Sequence, residues 1–194
     1  MTSIATTTLA LKEWAAVARA LLDGRQTLLL RKGGIHEKRF EAAAADDEGG
    51  FLIFPTVAHS HAERVRTEHR DVLDRGAEDV DGDASVLVRC GVRLVDAVPV
   101  QRPERLPEVA DLHVWTDESV RTDRLEFRPK HPLHALVVRA FALPEPVRLE
   151  KTAEHRGCRS WLQLPLHWDG RSGTPVHEPG RLVQNAARVR DTLG

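Results

Sequence analysis

The chain has 194 residues, 41% of them hydrophobic, and a formal net charge of −1. That length suits one domain over residues 1–194 that buries its own core without metal or disulfides, and the near-neutral balance argues against strong non-specific attraction to polyanions. No apolar run reaches the roughly eighteen residues of a membrane span. The opening MTSIATTTLALKEW lacks the basic start of a signal peptide, so a cytoplasmic protein without a membrane partner is expected. Cys90 and Cys158 are then expected as free thiols, Cys90 buried and slow to react, Cys158 the more reactive.

Charge is uneven along the chain. Residues 12–41 hold seven Lys/Arg against four Asp/Glu, residues 42–85 four against eleven, and residues 121–161 nine against five. Two basic blocks thus flank an acidic one. The acidic 42–85 segment offers itself to a basic protein partner, and the basic blocks to an anion if the fold brings them together.

In chain order, Thr8 is a candidate cap for a helix over about 9–22, with Leu11, Trp14, Ala15, Ala18, Leu21 and Leu22 on one face. Asp23-Gly24 ends it, Gly24 suiting a left-handed conformation. Thr27–Leu30 is a short buried strand that leads into Arg31-Lys32-Gly33-Gly34. Residues 36–50 form a charged loop with the alanine run 42–45, and Phe51–Phe54 a second strand stopped by Pro55. Ser60 and Glu63 make a capping box for a helix over about 61–74, and a polar loop over 75–85 follows. Alternation from Val86 to Val98 gives the clearest strand. Pro99, Pro103 and Pro107 mark a connector, and a short helix is expected near Trp115–Val120. His134–Leu143 is a strand ending at Pro144, with Val147–Leu149 continuing after a kink. Trp161–Leu164 is a last strand, and Pro179-Gly180 opens a helix to about Leu193. This order disfavours a doubly wound parallel sheet. The expected fold is α+β: a curved mixed or antiparallel sheet, or small pseudo-barrel, of about five to seven strands, with the 9–22 helix across one opening.

Three stretches carry a family resemblance: ALKEWAAVARALLDGRQTLLLRKGGI, FLIFPTVAHSHAE and HPLHALVVRAFALPEPVRLEKTAEHRGCRSWLQLP. Over roughly 10–165 the chain resembles the domain-of-unknown-function 1802 family of prokaryotes. Members of that family occur beside restriction-endonuclease-like domains, which implies a role near DNA modification, restriction or defence. A second resemblance is to the PUA-like superfamily, in its ASCH and EVE branches. There a helix runs into a barrel strand through GxKxxExR, and here Gly24 and Arg31 match while Gln26 and Leu29 replace the Lys and Glu. It implies a pseudo-barrel that binds RNA or reads modified bases in a cleft. The hydrolytic activity of some ASCH proteins does not carry over, because Gln26 cannot act as their lysine.

Arg31, Lys32, Gly33 and Gly34 are the leading site candidates: a planar fork, a point charge and two glycines that let backbone N–H groups approach one anion. The bland alternative is a turn with solvated charges. His155, Arg156, Cys158, Arg159 and Trp161 form a second dense stretch, with arginines for phosphate and an indole for stacking on a base. Its alternative is a structural turn with Trp161 buried. The nucleic-acid-binding set is therefore Arg31, Lys32, Gly33, Gly34, Arg39, His155, Arg156, Arg159 and Trp161, with RNA or DNA as partner, a modified base included. Arg31 and Lys32 are expected to meet the 155–161 loop at one rim. Catalytic residues are unknown; His155 and Cys158, or His59, would serve a hydrolase or nuclease. A scaffold role is the third alternative. No cofactor motif is present, and a helix holding His61 and His69 would place them about 12 Å apart, too far to share a metal.

Overall fold

The computed structural model describes residues 7–32, 50–57, 61–157 and 159–194. Gly33, Gly34, Arg39, His59, Cys158 and the alanine run at 42–45 lie outside these residues.

Eight strands form one mixed sheet: β1 (Thr8–Trp14), β2 (Leu28–Lys32), β3 (Gly50–Thr56), β4 (Val80–Asp81), β5 (Ser85–Pro99), β6 (Leu133–Glu150), β7 (Trp161–Leu164) and β8 (Thr174–Pro175). The main order is β2-β6-β5-β3-β1-β7, with β4 on β5 and β8 on β6. Among the described residues only β1 and β3 pair in parallel; the other pairs are antiparallel. The path is open, with β2 and β7 at its ends. The sheet curls enough for Arg31 near one end to reach Glu13 near the other, Nη1 to Oε2 3.2 Å.

The expected 9–22 helix is corrected. Residues 8–14 are extended, and only α1 (Ala15–Leu22) is helical. β1 lies between β3 and β7, and both faces are covered: Ala10 and Leu11, neighbours pointing opposite ways, are each 0% exposed. Burial on two faces overrides a helical pattern that only needed one. Gly24 does take the left-handed conformation, φ 73°.

The helix expected over 61–74 is also corrected. Two 3-10 turns (His61–Glu63 and Thr67–His69) precede α2 (Asp71–Ala77). Between them Val65 bridges Trp115. The expected loop at 75–85 contains the end of α2 and β4, where Asp79 is 3% exposed and holds Arg19 (2.7 Å) and Arg89 (2.6 Å).

β6 does not stop at Pro144. Its register on β5 jumps from Ala142↔Cys90 to Val147↔Val88. Pro144 and Pro146 fall in that bulge, where no ladder bond is asked of them. On the far face Trp168 lies on Gly91, where a Cβ would meet its ring at 2.5 Å. A 3-10 run (Pro103–Leu112), α3 (Asp117–Val120), one wide π turn (Arg121–Leu125), a 3-10 turn (Ala153–His155) and α4 (Pro179–Leu193) complete the described elements. No helix among the described residues is long and apolar enough to cross a membrane.

Candidate functional site

Where the two ends of the curled sheet face each other, a cleft of about 150 Å³ opens. One wall is the end of β2, Leu30 to Lys32; Ser160, just before β7, stands opposite, and Asp123, Arg124, Phe127 and Arg128 cover the gap. Four cations and one carboxylate line it. The two basic sequence blocks therefore do meet, through Arg31 and Lys32 of the first and Arg124 and Arg128 of the third.

The electrostatics depend on which charges are already matched. Glu13, 3% exposed at the N-terminus of α1, accepts from the backbone N–H of Trp14 (2.9 Å) and from Arg31. A carboxylate there suits the positive end of the helix. Asp123 accepts from Ser119 Oγ (2.9 Å) and faces Arg64 at 3.4 Å. Arg124 is different. It is half-buried, its Nε is out of reach of water with no hydrogen-bond partner, and its Nη1 reaches only the carbonyl of Asp123 at 3.3 Å. Among the described residues no carboxylate forms an ion pair with it. Its guanidinium sits 5.8 Å from the Trp14 ring centre and 5.7 Å from that of Trp115. Burial lowers its pKa from the usual guanidinium value; Arg31 and Arg64 act in the same direction, against Glu13 and Asp123.

At the mouth, Phe127 is 53% exposed, with the Arg128 guanidinium 5.2 Å from its ring centre. Arg128 has φ 48°, the one positive φ outside glycine among the described residues. Such a backbone costs about 1 kcal/mol or more and is concentrated at ligand sites. The preceding π turn is likewise a form enriched at functional positions.

The sequence-derived candidates divide. Arg31 lines the cleft. Lys32 lines it too, but its ammonium donates to the carbonyls of His131 (3.0 Å) and Leu125 (3.3 Å), and burial lowers its pKa. It fastens the cover segment as well as charging the cleft. His155 closes a turn: its Nδ1 accepts from Thr152 N–H at 3.0 Å, and its ring stacks at 5.1 Å from Phe54. Burial, then Lys12, lowers its pKa. Trp161 is 8% exposed and meets Phe51 edge-on at 5.1 Å, so most of its surface belongs to the core. Arg156 and Arg159 are exposed. Of the described residues of the 155–161 loop only Ser160 lines the cleft; Glu154, His155, Arg159, Trp161, Leu162 and Gln163 line a second cavity, of about 280 Å³. Cys90 is fully buried and free, its thiol pushed up to about 12 by burial. Acids of the 42–85 segment bind this chain's own arginines: Glu68 with Arg66, Asp71 with Arg25, Asp79 with Arg19. Among the described residues no three potential metal ligands converge.

Sequence reasoning missed Arg124, Phe127 and Arg128. No motif marks them; the one available signal was the positive balance of 121–161.

The model of a domain of unknown function, DUF1802, matches residues 10–188. The chain belongs to the DUF1802 family. No curated protein matches it. Among solved structures, this chain is similar to an ASCH protein, ZmASCH, of Zymomonas mobilis. Its serine-to-alanine mutant aligns at 11% identity and TM-score 0.45, over 80% of this chain and 87% of that one. Its tyrosine-to-phenylalanine mutant aligns at 12% and 0.43, over 80% and 88%. A further ASCH structure from the same organism aligns at 11% and 0.42, over 93% and 94%.

Proposed function

We propose that this DUF1802 domain binds single-stranded nucleic acid, RNA or DNA, with a phosphate held by Arg31, Arg124 and Arg128 and a neighbouring base stacked on Phe127. The observation that carries the reading is Arg124. Its Nε is buried without a partner and no carboxylate among the described residues pairs with it, an arrangement that costs free energy unless something anionic completes it. Arg31 and Arg128 on the same cleft add cations, and a planar fork suits phosphate oxygens. Phe127 supplies the sequence-tolerant surface that single strands use. A duplex offers no unstacked base to such a ring, so single strands are preferred. The adjoining cavity, with Glu154, His155, Arg159 and Gln163, presents the donors and acceptors that read a base edge, a modified one included.

Fluorescence anisotropy with labelled single-stranded RNA and DNA, over a range of salt, tests this. Wild type is expected to bind with affinity falling as salt rises, and Arg31→Ala to bind more weakly with a slope shallower by about one unit. Absence of binding at low salt, or an Arg31→Ala slope equal to wild type, overturns the proposal.

A further inference from the structure

On the other side of the 117–125 segment lies a cavity of about 230 Å³. Its walls are apolar: Leu106, Pro107, Val120 and Leu125. Glu104, Asp117 and Arg121 stand at its exposed rim. One polar side chain reaches it from within. His113 is 1% exposed, and its Nδ1 accepts from the Trp115 backbone N–H at 3.2 Å. An imidazole accepting at Nδ1 carries its proton on Nε2. Nε2 has no partner within the described protein, and burial, then Arg66, hold the ring neutral by pushing its pKa down to about 3.

Water is a poor occupant for such a space. An ordered buried water needs two to four polar partners, roughly, and the apolar wall leaves it this one donor. A molecule bringing apolar surface and a single acceptor fits better, because it displaces weakly held water and completes the N–H. A cavity of about 150 Å³ holds benzene, so this one has room for one or two fused rings. The rim carries charges of both signs, Glu104 and Asp117 against Arg121, and the ring of His113 is neutral, so a neutral molecule suits the space.

We infer that this cavity is a binding site for a small neutral nitrogen heteroaromatic, its ring between Leu106, Val120 and Leu125 and its ring nitrogen accepting from His113 Nε2–H. The site is separate from the basic cleft and stands or falls independently of nucleic-acid binding.

Isoquinoline serves as the probe, and indole, which carries a donor N–H in place of the acceptor, as the control. Both are titrated into the full chain by NMR. Isoquinoline is expected to shift the His113 Nε2–H and the methyls of Leu106, Val120 and Leu125 saturably, binding about tenfold tighter than indole. His113→Phe is expected to erase that difference. Val120→Phe, which fills the space and leaves the donor intact, is expected to abolish binding, and it decides the matter if His113→Phe does not fold. Equal affinities for the two probes, shifts that do not saturate, or unchanged binding to Val120→Phe overturn the inference.

Discussion

The cleft at Arg31 and the turn at 153–161 hold similar residue types and opposite arrangements. In the turn, the aromatic Trp161 is buried against Phe51, while Arg156 and Arg159 face water. In the cleft, the Nε of Arg124 is withdrawn from water without a partner and the aromatic Phe127 is 53% exposed. The first arrangement satisfies itself: apolar surface is covered and charge is hydrated. The second leaves a cation without an acid and a ring without a cover. An inverted pattern of burial, rather than a dense local composition, marks the place where something else belongs.

That contrast can be attacked from both sides. The largest effect is expected from Trp161→Ala. It should cost about 3–5 kcal/mol in urea unfolding, as loss of a core aromatic does, while the folded fraction keeps its salt dependence of oligonucleotide binding. A cost below about 1 kcal/mol would place the ring outside the core. Phe127→Ala is the mirror experiment. Unfolding should shift by no more than about 0.5 kcal/mol, and single-strand binding should weaken by about 1–3 kcal/mol in anisotropy titrations. Retained affinity would remove the stacking surface from the cleft.

His155→Ala should be smaller and dependent on pH. The Nδ1 that accepts from Thr152 N–H works only in the neutral ring. Burial, then Lys12, depresses the folded pKa, so the ring's contribution is present above its unfolded pKa, about 6.5, and is lost as pH falls through the folded value. Urea unfolding should show the variant about 0.5–1 kcal/mol less stable at pH 7.5, with the gap closing in acid. A gap that persists unchanged in acid would show that Nδ1 is not the group responsible. The smallest expected effect is that of Arg128→Ala. Its salt slope should fall by about one unit, with unfolding nearly unchanged; an unaltered slope would take Arg128 out of the phosphate site.

Much of the sheet is legible in the sequence because alternation reports burial directly. β5 and the first part of β6 follow from it. The second part of β6 is hidden by Pro144 and Pro146, whose meaning depends on a bulge set by the partner strand. β1 is hidden for another reason. Its residues satisfy a helical stripe, and nothing local records that two strands will flank them. At the site, Arg31 stands out from its own neighbours in sequence. Phe127 and Arg128 do not, because an exposed Phe and a left-handed Arg are properties of the fold, and a π turn leaves no pattern that composition can show. Glu13 is unreadable in the same way: it looks like one more charge on a helix until Arg31 meets it.

The extended conformation of residues 8–14 also has a consequence for how the chain reaches its native state. ALKEWAAVARALL can grow as one continuous helix on a timescale of about a microsecond, whereas pairing β1 with β3 and β7 joins segments about 40 and 150 residues apart, a much slower search. A helix formed in that way would be longer than α1, and its first turns would have to unwind before Leu11 could register with Ile53 and Trp161. Local preference and final topology disagree in β1, the strand next to the β7 end of the sheet, and such disagreement slows folding. The refolding chain should therefore pass a maximum of helical circular dichroism before settling to its native signal, and a proline at Leu9, harmless to neither strand nor helix in equal measure, would be a poor probe of it; Ala10→Val, which favours the strand over the helix, should lower that maximum.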